Sequence, residues 1–369
     1  MSENMVVCEN CGQKIPLTQS VDFEGCTLCQ HCFEERTVSC SRCGTRIWND
    51  ENAGDEHTPL CQSCYERYYT TCSRCGRIIH EDDACYEDDD DDEPLCGACY
   101  TRRCGNTAIH DYYYKPTPVF LGEGTRFFGV ELEIDEAGES NSNAQKLLAL
   151  ANNGQERIYC KHDGSLEDGV ELVTHPMTLA YHTKEMPWEA VLNQARELGY
   201  TSHQARTCGL HIHVNRTAFG ASEREQDACI ARILYFFEKH WEELLKFSRR
   251  TQRQMERWAA RYGYKEQPRD ILEHAKKGSH GGRYTAVNLT NCDTIEFRMF
   301  RGTLKLNTLI ATLQLVDRIC DVAFYMTDDD LKSMPWTAFA AGCTQPELVQ
   351  YLKERRLYVN DPVETTEEV

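Results

Sequence analysis

Residues 208–215 read CGLHIHVN. In an extended chain alternate side chains share a face, so His211 and His213 point the same way. One histidine in a strand is ordinarily a satisfied core or edge residue. Two on one face, just after a cysteine and a glycine, make a surface where a metal or a phosphate could be held. That reading requires further ligands from elsewhere in the chain.

Other stretches supply them. Residues 126–134, RFFGVELEI, alternate cleanly: Phe128, Val130, Leu132 and Ile134 face one side, Gly129, Glu131 and Glu133 the other. Turn signals at 163–164 and 168–169, both Asp-Gly, precede an apolar strand that begins near Glu171. Residues 294–304, TIEFRMFRGTL, put Glu296 and Arg298 opposite Ile295, Phe297 and Met299, with Arg301 where the strand ends. A glycine-rich turn at 280–289, HGGRYTAVNL, feeds another strand and carries Arg283 and Tyr284. Helices are expected over 186–198, from Ser222 with breaks to about 260, over 307–325 and over 345–355. Ser222 and Glu225 have the spacing of a capping box.

Glu131, Glu133, Glu171, His211 and Glu296 are thus five oxygen or nitrogen ligands on strands separated by helices and turns, with Arg298 and Arg301 beside the last. Phosphoryl transfer needs this inventory. Carboxylates hold magnesium, and guanidinium groups neutralise a migrating phosphoryl group.

The first hundred residues have a different character. Fifteen of the 21 cysteines lie before residue 105. Six C-x2-C pairs are present: Cys8/Cys11 with Cys29/Cys32, Cys40/Cys43 with Cys61/Cys64, and Cys72/Cys75 with Cys96/Cys99. The opening cysteines of the three units are 32 residues apart, and each first pair is followed by a glycine, Gly12, Gly44 or Gly76. Two thiolates from one tight turn supply two corners of a tetrahedral zinc site. Each unit is too small to bury a core, so the metal would supply much of its folding free energy. Cys26, Cys85 and Cys104 are left over, and His31 and His57 are alternative ligands. The third unit carries an insertion at 81–93 with ten acidic residues and no basic one. It reads as a solvated loop, with calcium or a basic partner protein as alternatives.

Among 369 residues the formal net charge is −19, which disfavours nucleic acid over the whole surface. No apolar run is long enough to span a membrane, and the N-terminus does not read as a secretory signal. Cysteine-rich zinc modules without such a signal point to the reducing cytoplasm. The expected organisation is three four-cysteine modules over 1–104, a linker over 105–125, a catalytic unit over 126–357 and a flexible tail over 358–369.

The stretch from about 126 to 325 resembles the amidoligase family, carboxylate–amine ligases of the glutamine synthetase-like superfamily. The resemblance rests on FGVELE at 128–133, ELVTHP at 171–176, CGLHIHVN at 208–215, RYTAVNL at 283–289 and EFRMFRGTL at 296–304, in that order. It implies an α+β fold with a curved antiparallel sheet backed by helices. It also implies ATP, with Mg2+ or Mn2+, on the open face. Carried over by position, Glu133 and Glu171 would hold one ion, and Glu131, His211 and Glu296 another. Arg298 would contact the phosphoryl group with help from Arg301. Arg283 and Tyr284 would lie nearer ATP or substrate, and His213 would be structural or substrate-facing. The implied reaction joins a carboxylate to an amine through an acyl phosphate, with Asp163 and Glu167 as candidate general bases. The substrates are not readable: glutamate, a peptide terminus, a peptidoglycan fragment and a protein side chain stay open. The zinc modules would select a substrate or partner, and they or the acidic loop would bind a protein partner. The alternative is a non-catalytic zinc-finger adaptor.

Overall fold

Strict alternation between Phe128 and Ile134 leaves the chain one way to bury its apolar side chains, as an extended strand with one face on a core. The computed structural model shows that strand at the centre of a seven-stranded sheet. The structure describes residues 5–86, 93–97, 99–100, 108–205, 207–277 and 282–358. The chain divides into two compact units, Met1–Gly105 and Asn106–Val369.

The first unit is built from short antiparallel hairpins. They pair β1 (Met5–Val7) with β2 (Lys14–Pro16), β3 (Ser20–Phe23) with β4 (Cys26–Cys29), β5 (Thr37–Ser39) with β6 (Arg46–Trp48), and β7 (Tyr69–Thr71) with β8 (Ile78–His80). Cys29 and Cys61 each precede a short helix, Gln30–Arg36 and Gln62–Tyr68. The knuckle after each opening pair has the same geometry three times. Gly12, Gly44 and Gly76 have φ of +75°, +72° and +72°, a conformation that favours glycine. Their N–H groups donate to the carbonyls of Cys8, Cys40 and Cys72 at 2.8, 2.9 and 2.9 Å.

The twelve paired cysteines gather into three groups of four. The gaps Cys11–Cys29, Cys43–Cys61 and Cys75–Cys96, sulfur to sulfur, are 3.9, 3.7 and 3.6 Å. A tetrahedral zinc with bonds of about 2.3 Å has edges of about 3.8 Å. The donor sets therefore fit zinc, and no described cysteine is in a disulfide. The N–H groups of Cys11 and Cys29 pull the Cys8 thiol down to about 6, as a thiolate ligand requires. Cys26, His31, His57 and Cys85 fall outside the twelve. Cys104 and residues 87–92 of the acidic insertion lie outside the described residues.

In the second unit the strands are β9 (Ile109–His110), β10 (Phe128–Ile134), β11 (Ile158–Lys161), β12 (Val170–Thr174), β13 (Gly209–Asn215), β14 (Val287–Asn288) and β15 (Thr294–Arg301). Their order is β14-β15-β13-β10-β12-β11-β9, antiparallel except for the pair β11 and β9. The parallel edge corrects one expectation. Residues 108–125 are not a free linker. Ile109 and Leu121 are buried, and Leu121 exchanges backbone hydrogen bonds with Pro176 and Thr178 at 2.9 and 3.0 Å. Residues 359–369, most of the expected tail, lie outside the described residues.

Apolar residues from β10, β13 and β15 share one core with the helices Glu223–Lys239 and Leu306–Tyr325. Phe237 packs against Phe297 at 5.6 Å between ring centres. Each such side chain contributes roughly 1.5–3 kcal/mol by leaving water. The capping box at Ser222 and Glu225 forms as expected. The broken helix after it resolves into three, divided at His240 and at Arg249, whose φ is 62°.

The three-module arrangement predicts three zinc ions per full-length chain by elemental analysis, in a protein without the visible absorption of iron. Cys64→Ser should leave two. Fewer than two in the unsubstituted protein would contradict the arrangement.

Candidate active site

Register across the sheet brings the polar faces of separate strands together. Glu133 lies directly opposite Glu171, which lies opposite Lys161. Glu131 lies opposite His211, and His213 lies between Gly129 and Glu296. Six candidate ligands from four strands thus occupy adjoining positions on one face.

A bulge completes the face. Leu210 pairs with Phe300 but Ile212 with Phe297, so β15 uses three residues where β13 uses two. Met299 and Phe300 both enter the core. Arg301 pairs with Gly209 and so returns to the face of His211 and His213. Uninterrupted alternation would have put it on the apolar side.

The distances show a crowded cluster. His211 Nδ1 is 3.3 Å from Glu131 Oε2 and 3.7 Å from Glu296 Oε1, and its Nε2 is 3.8 Å from Glu133 Oε1. His213 Nε2 is 3.1 Å from Glu131 Oε1 and 4.0 Å from Glu296 Oε1. That nitrogen is buried and, among the described residues, has no well-aligned hydrogen bond, so its contact with Glu131 is electrostatic. Lys161 Nζ is 3.3 Å from Glu171 Oε2. Asn288 Nδ2 donates to Glu296 Oε2 at 2.8 Å, and Arg298 donates to Glu296 Oε1. Gly209 N–H donates to Glu133.

Environment drives the four carboxyls apart. Burial pushes Glu133 up, and His211, the Gly209 N–H and Arg250 only partly offset it. Burial and the charge of Glu131 push Glu171 well up despite Lys161. Burial opposes the charge of Glu131 too, but the charge of His213 and the hydrogen bond with His211 hold it well below the usual range. Glu296 is lowered because Arg298 and His213 outweigh its burial. Burial disfavours the His213 cation, yet Glu131 and Glu296 raise it overall. Divergent carboxyls in one pocket are a mark of acid–base or metal chemistry.

Ligand atoms of Glu131, Glu171 and His211 lie within 4.8 Å of one another, as do those of Glu131, His213 and Glu296. These donor sets fit hard divalent cations with one nitrogen ligand each. Glu131 is common to both, and His213 joins the cluster on equal terms with His211.

A band of aromatic and cationic groups borders the carboxylates. Arg283 donates to the Tyr112 hydroxyl and lies over the rings of Tyr112 and Tyr284 at 5.6 and 5.3 Å. Lys161 lies 5.4 Å from the Tyr112 ring, and Arg298 5.9 Å from the Tyr284 ring. Asp163 is near enough to push Glu133 and Glu171 up. The Glu167 N–H is held by Asp135 at 3.1 Å. Lys161, Asn288, Tyr112 and Arg250 were not identified from sequence as members of the site. A lone lysine ending a strand, or a tyrosine in a proline-rich stretch, carries no spacing signal.

Residues 149–320 match the family model described as "Putative amidoligase enzyme". The amidoligase resemblance therefore stands. The match takes in Glu171, both histidines, Glu296 and the two arginines of β15, while Glu131 and Glu133 lie upstream of it. No curated protein matches the chain. A bifunctional glutathione synthetase from Pasteurella multocida is 15% identical, with 63% of this chain and 46% of that chain covered and a TM-score of 0.32. A novel glutamine synthase homolog is 14% identical, with 63% and 71% covered and a TM-score of 0.27. This chain spans less than half of the glutathione synthetase, and scores this low carry no weight for function.

Glu133 gives a pH-resolved prediction. Its carboxyl is raised in the folded protein, so its ionisation favours unfolding as pH climbs above the unfolded value of about 4.3. Without added divalent cation, Glu133→Gln should be more stable than wild type at neutral and higher pH. The advantage should vanish near pH 4. Its size is about 1.4 kcal/mol for each unit separating folded and unfolded values. Thermal melts across pH check this, and a variant less stable at every pH would contradict it.

Proposed function

We propose that this chain is an ATP-dependent carboxylate–amine ligase working through an acyl phosphate. The observation that carries the proposal is the convergence of buried Glu133, Glu171, Glu296 and His211 with half-buried Glu131, His213 and Arg298. The family match supports a carboxylate–amine ligase in general terms.

Glu131, Glu171 and His211 would hold one divalent cation, and Glu131, His213 and Glu296 a second. Bound Mg2+ or Mn2+ would neutralise phosphate oxygens and lower the barrier to their approach by an anion. The chain's own contribution begins with Arg298. One of its nitrogens is committed to Glu296, while its Nε is buried without a partner among the described residues, leaving a donor for a transferring phosphoryl oxygen. A substrate carboxylate oxygen bonds to the γ-phosphorus as the bond to the bridging oxygen breaks and ADP departs. An amine nitrogen then bonds to the acyl carbon as the carbon–oxygen bond breaks and phosphate departs. The two protons shed between ammonium and amide go to a base at the Asp163–Glu167 turn or to water.

The aromatic–cationic band of Tyr112, Arg283 and Tyr284 would receive ATP or the substrate. The three zinc modules would select a peptide or protein substrate, or a partner, in a reducing compartment such as the cytoplasm. An inert scaffold gives no reason to bury a like-charged cross-strand pair, which only destabilises the sheet.

Amine-dependent release of phosphate from ATP, screened over small carboxylates and acidic peptides, tests the reading. Arg298→Ala should lower turnover by about 3 kcal/mol, roughly a hundredfold, with a smaller effect on ATP binding. Glu296→Gln should raise the Mn2+ concentration needed for half-maximal rate. Near wild-type rates in both folded variants would refute the assignment.

A further inference from the structure

Beside the carboxylates lies a cluster of opposite sign that no step above uses. A cleft of about 700 Å³ is lined by Trp241, Lys246, Arg249, Arg250, Arg261 and Arg355, with His203 and the acid Glu242 also at its wall. Such a concentration of cations is unexpected in a chain of net charge −19. Arg261 is already paired with Glu238 at 2.9 Å. Among the described residues the others are not paired with a carboxylate. Among the described residues Arg355 donates to the Lys246 carbonyl, at 3.0 and 2.7 Å, and Lys246 Nζ to the Arg356 carbonyl, at 3.2 Å.

Arg250 is the decisive residue. It is 9% exposed, and among the described residues its guanidinium has no hydrogen bond and no carboxylate within ion-pair distance. Taking a guanidinium out of water without a counter-ion is costly. The local backbone adds to that cost, because the preceding residue, Arg249, sits in the left-handed region at φ 62°. Two donors in the neighbourhood are buried without acceptors among the described residues, Trp241 Nε1 and Arg301 Nε. Arg301 is close enough to Arg249 and Arg250 for their charges to repel. The set offers N–H donors and positive charge, with a planar fork at its most buried point. Phosphate and carboxylate oxygens complement such a set.

The cleft adjoins the active-site face. A Cβ at Gly209 would lie 2.7 Å from Arg250 Nη2 and 2.6 Å from His211 Nε2. Both contacts are with the ends of side chains, and they place the Arg250 fork beside the histidine of the carboxylate cluster. We propose that the cleft is an oxyanion-binding site, in which Arg250 grips a phosphate or carboxylate group with Lys246, Arg249 and Arg301 around it. A ligand held there reaches the carboxylate cluster with its remaining part. The phosphate chain of a nucleotide and a second carboxylate of an acidic substrate share the required chemistry.

The test is binding, read by calorimetry on the full-length zinc-loaded chain without added divalent cation. The probes are inorganic pyrophosphate and the dipeptide Glu-Glu. Wild type should bind at least one of them. Arg250→Met should weaken that binding at least tenfold, and Lys246→Ala several-fold. Removing an unpaired buried charge should leave the melting temperature of Arg250→Met unchanged or higher, whereas a structural arginine would lower it. Loss confined to pyrophosphate assigns the site to a nucleotide, and loss confined to the dipeptide assigns it to an acidic substrate. Loss of both assigns a general oxyanion site. Failure of wild type to bind either probe, or undiminished binding by Arg250→Met, overturns the proposal. No turnover is needed, so that failure is distinct from failure of the ligase reading.

Discussion

Glu133 and Glu171 lie directly opposite each other on neighbouring strands, and both are almost wholly buried. Two carboxylates so placed repel, and water is not there to screen them. Much of the second unit can be understood as the means of holding this arrangement. Lys161 is buried to answer Glu171, and Asn288 and Arg298 are committed to Glu296. The apolar face of the same strands supplies the cohesion that the polar face gives up.

The protein side of the site is nonetheless incompletely neutralised. Among the described residues Glu133 has no cation nearer than His211 at 3.8 Å, and Arg250, which feels the charge of Glu133, has no carboxylate within ion-pair distance. Anionic and cationic excess therefore stand side by side without cancelling. A metal ion on one side and an oxyanion on the other would satisfy both, so ligand binding and local stability are coupled. The first unit shows the same dependence in simpler form. Its hairpins bury a handful of apolar side chains around sulfur atoms, and the fit of those sulfurs to zinc explains how so little core suffices.

How much of this was legible in the sequence depends on the kind of signal. Period-two alternation placed β10 and the beginning of β15 correctly, because side-chain direction follows from the strand itself. The cysteine repeat picked out the twelve cysteines that cluster in fours, because a C-x2-C knuckle is a local device. Arg301 was harder, since its face is set by a bulge that appears only when β13 and β15 are aligned. The helix Asn141–Ala151 went unread because its start, Ser140 followed by Asn141, Ser142 and Asn143, resembles a loop. In the structure Ser140 is its cap. The stretch 108–125 looked like a linker because proline and glycine punctuate it, while Ile109 and Leu121 find their partners only in tertiary structure. Arg250 had no sequence signal at all. Its meaning comes from isolation in space.

The account turns on the carboxylate cluster being a divalent-cation site. The most direct measurement is a crystal structure of the full chain grown with Mn2+ and a non-hydrolysable ATP analogue, with anomalous scattering recorded at the manganese edge. The account predicts manganese peaks at the cluster, ligated by Glu131 with Glu171 and His211 on one side and with His213 and Glu296 on the other. An anomalous map with no peak there, and the carboxylates still paired only with Lys161, Arg298 and the histidines, would contradict it.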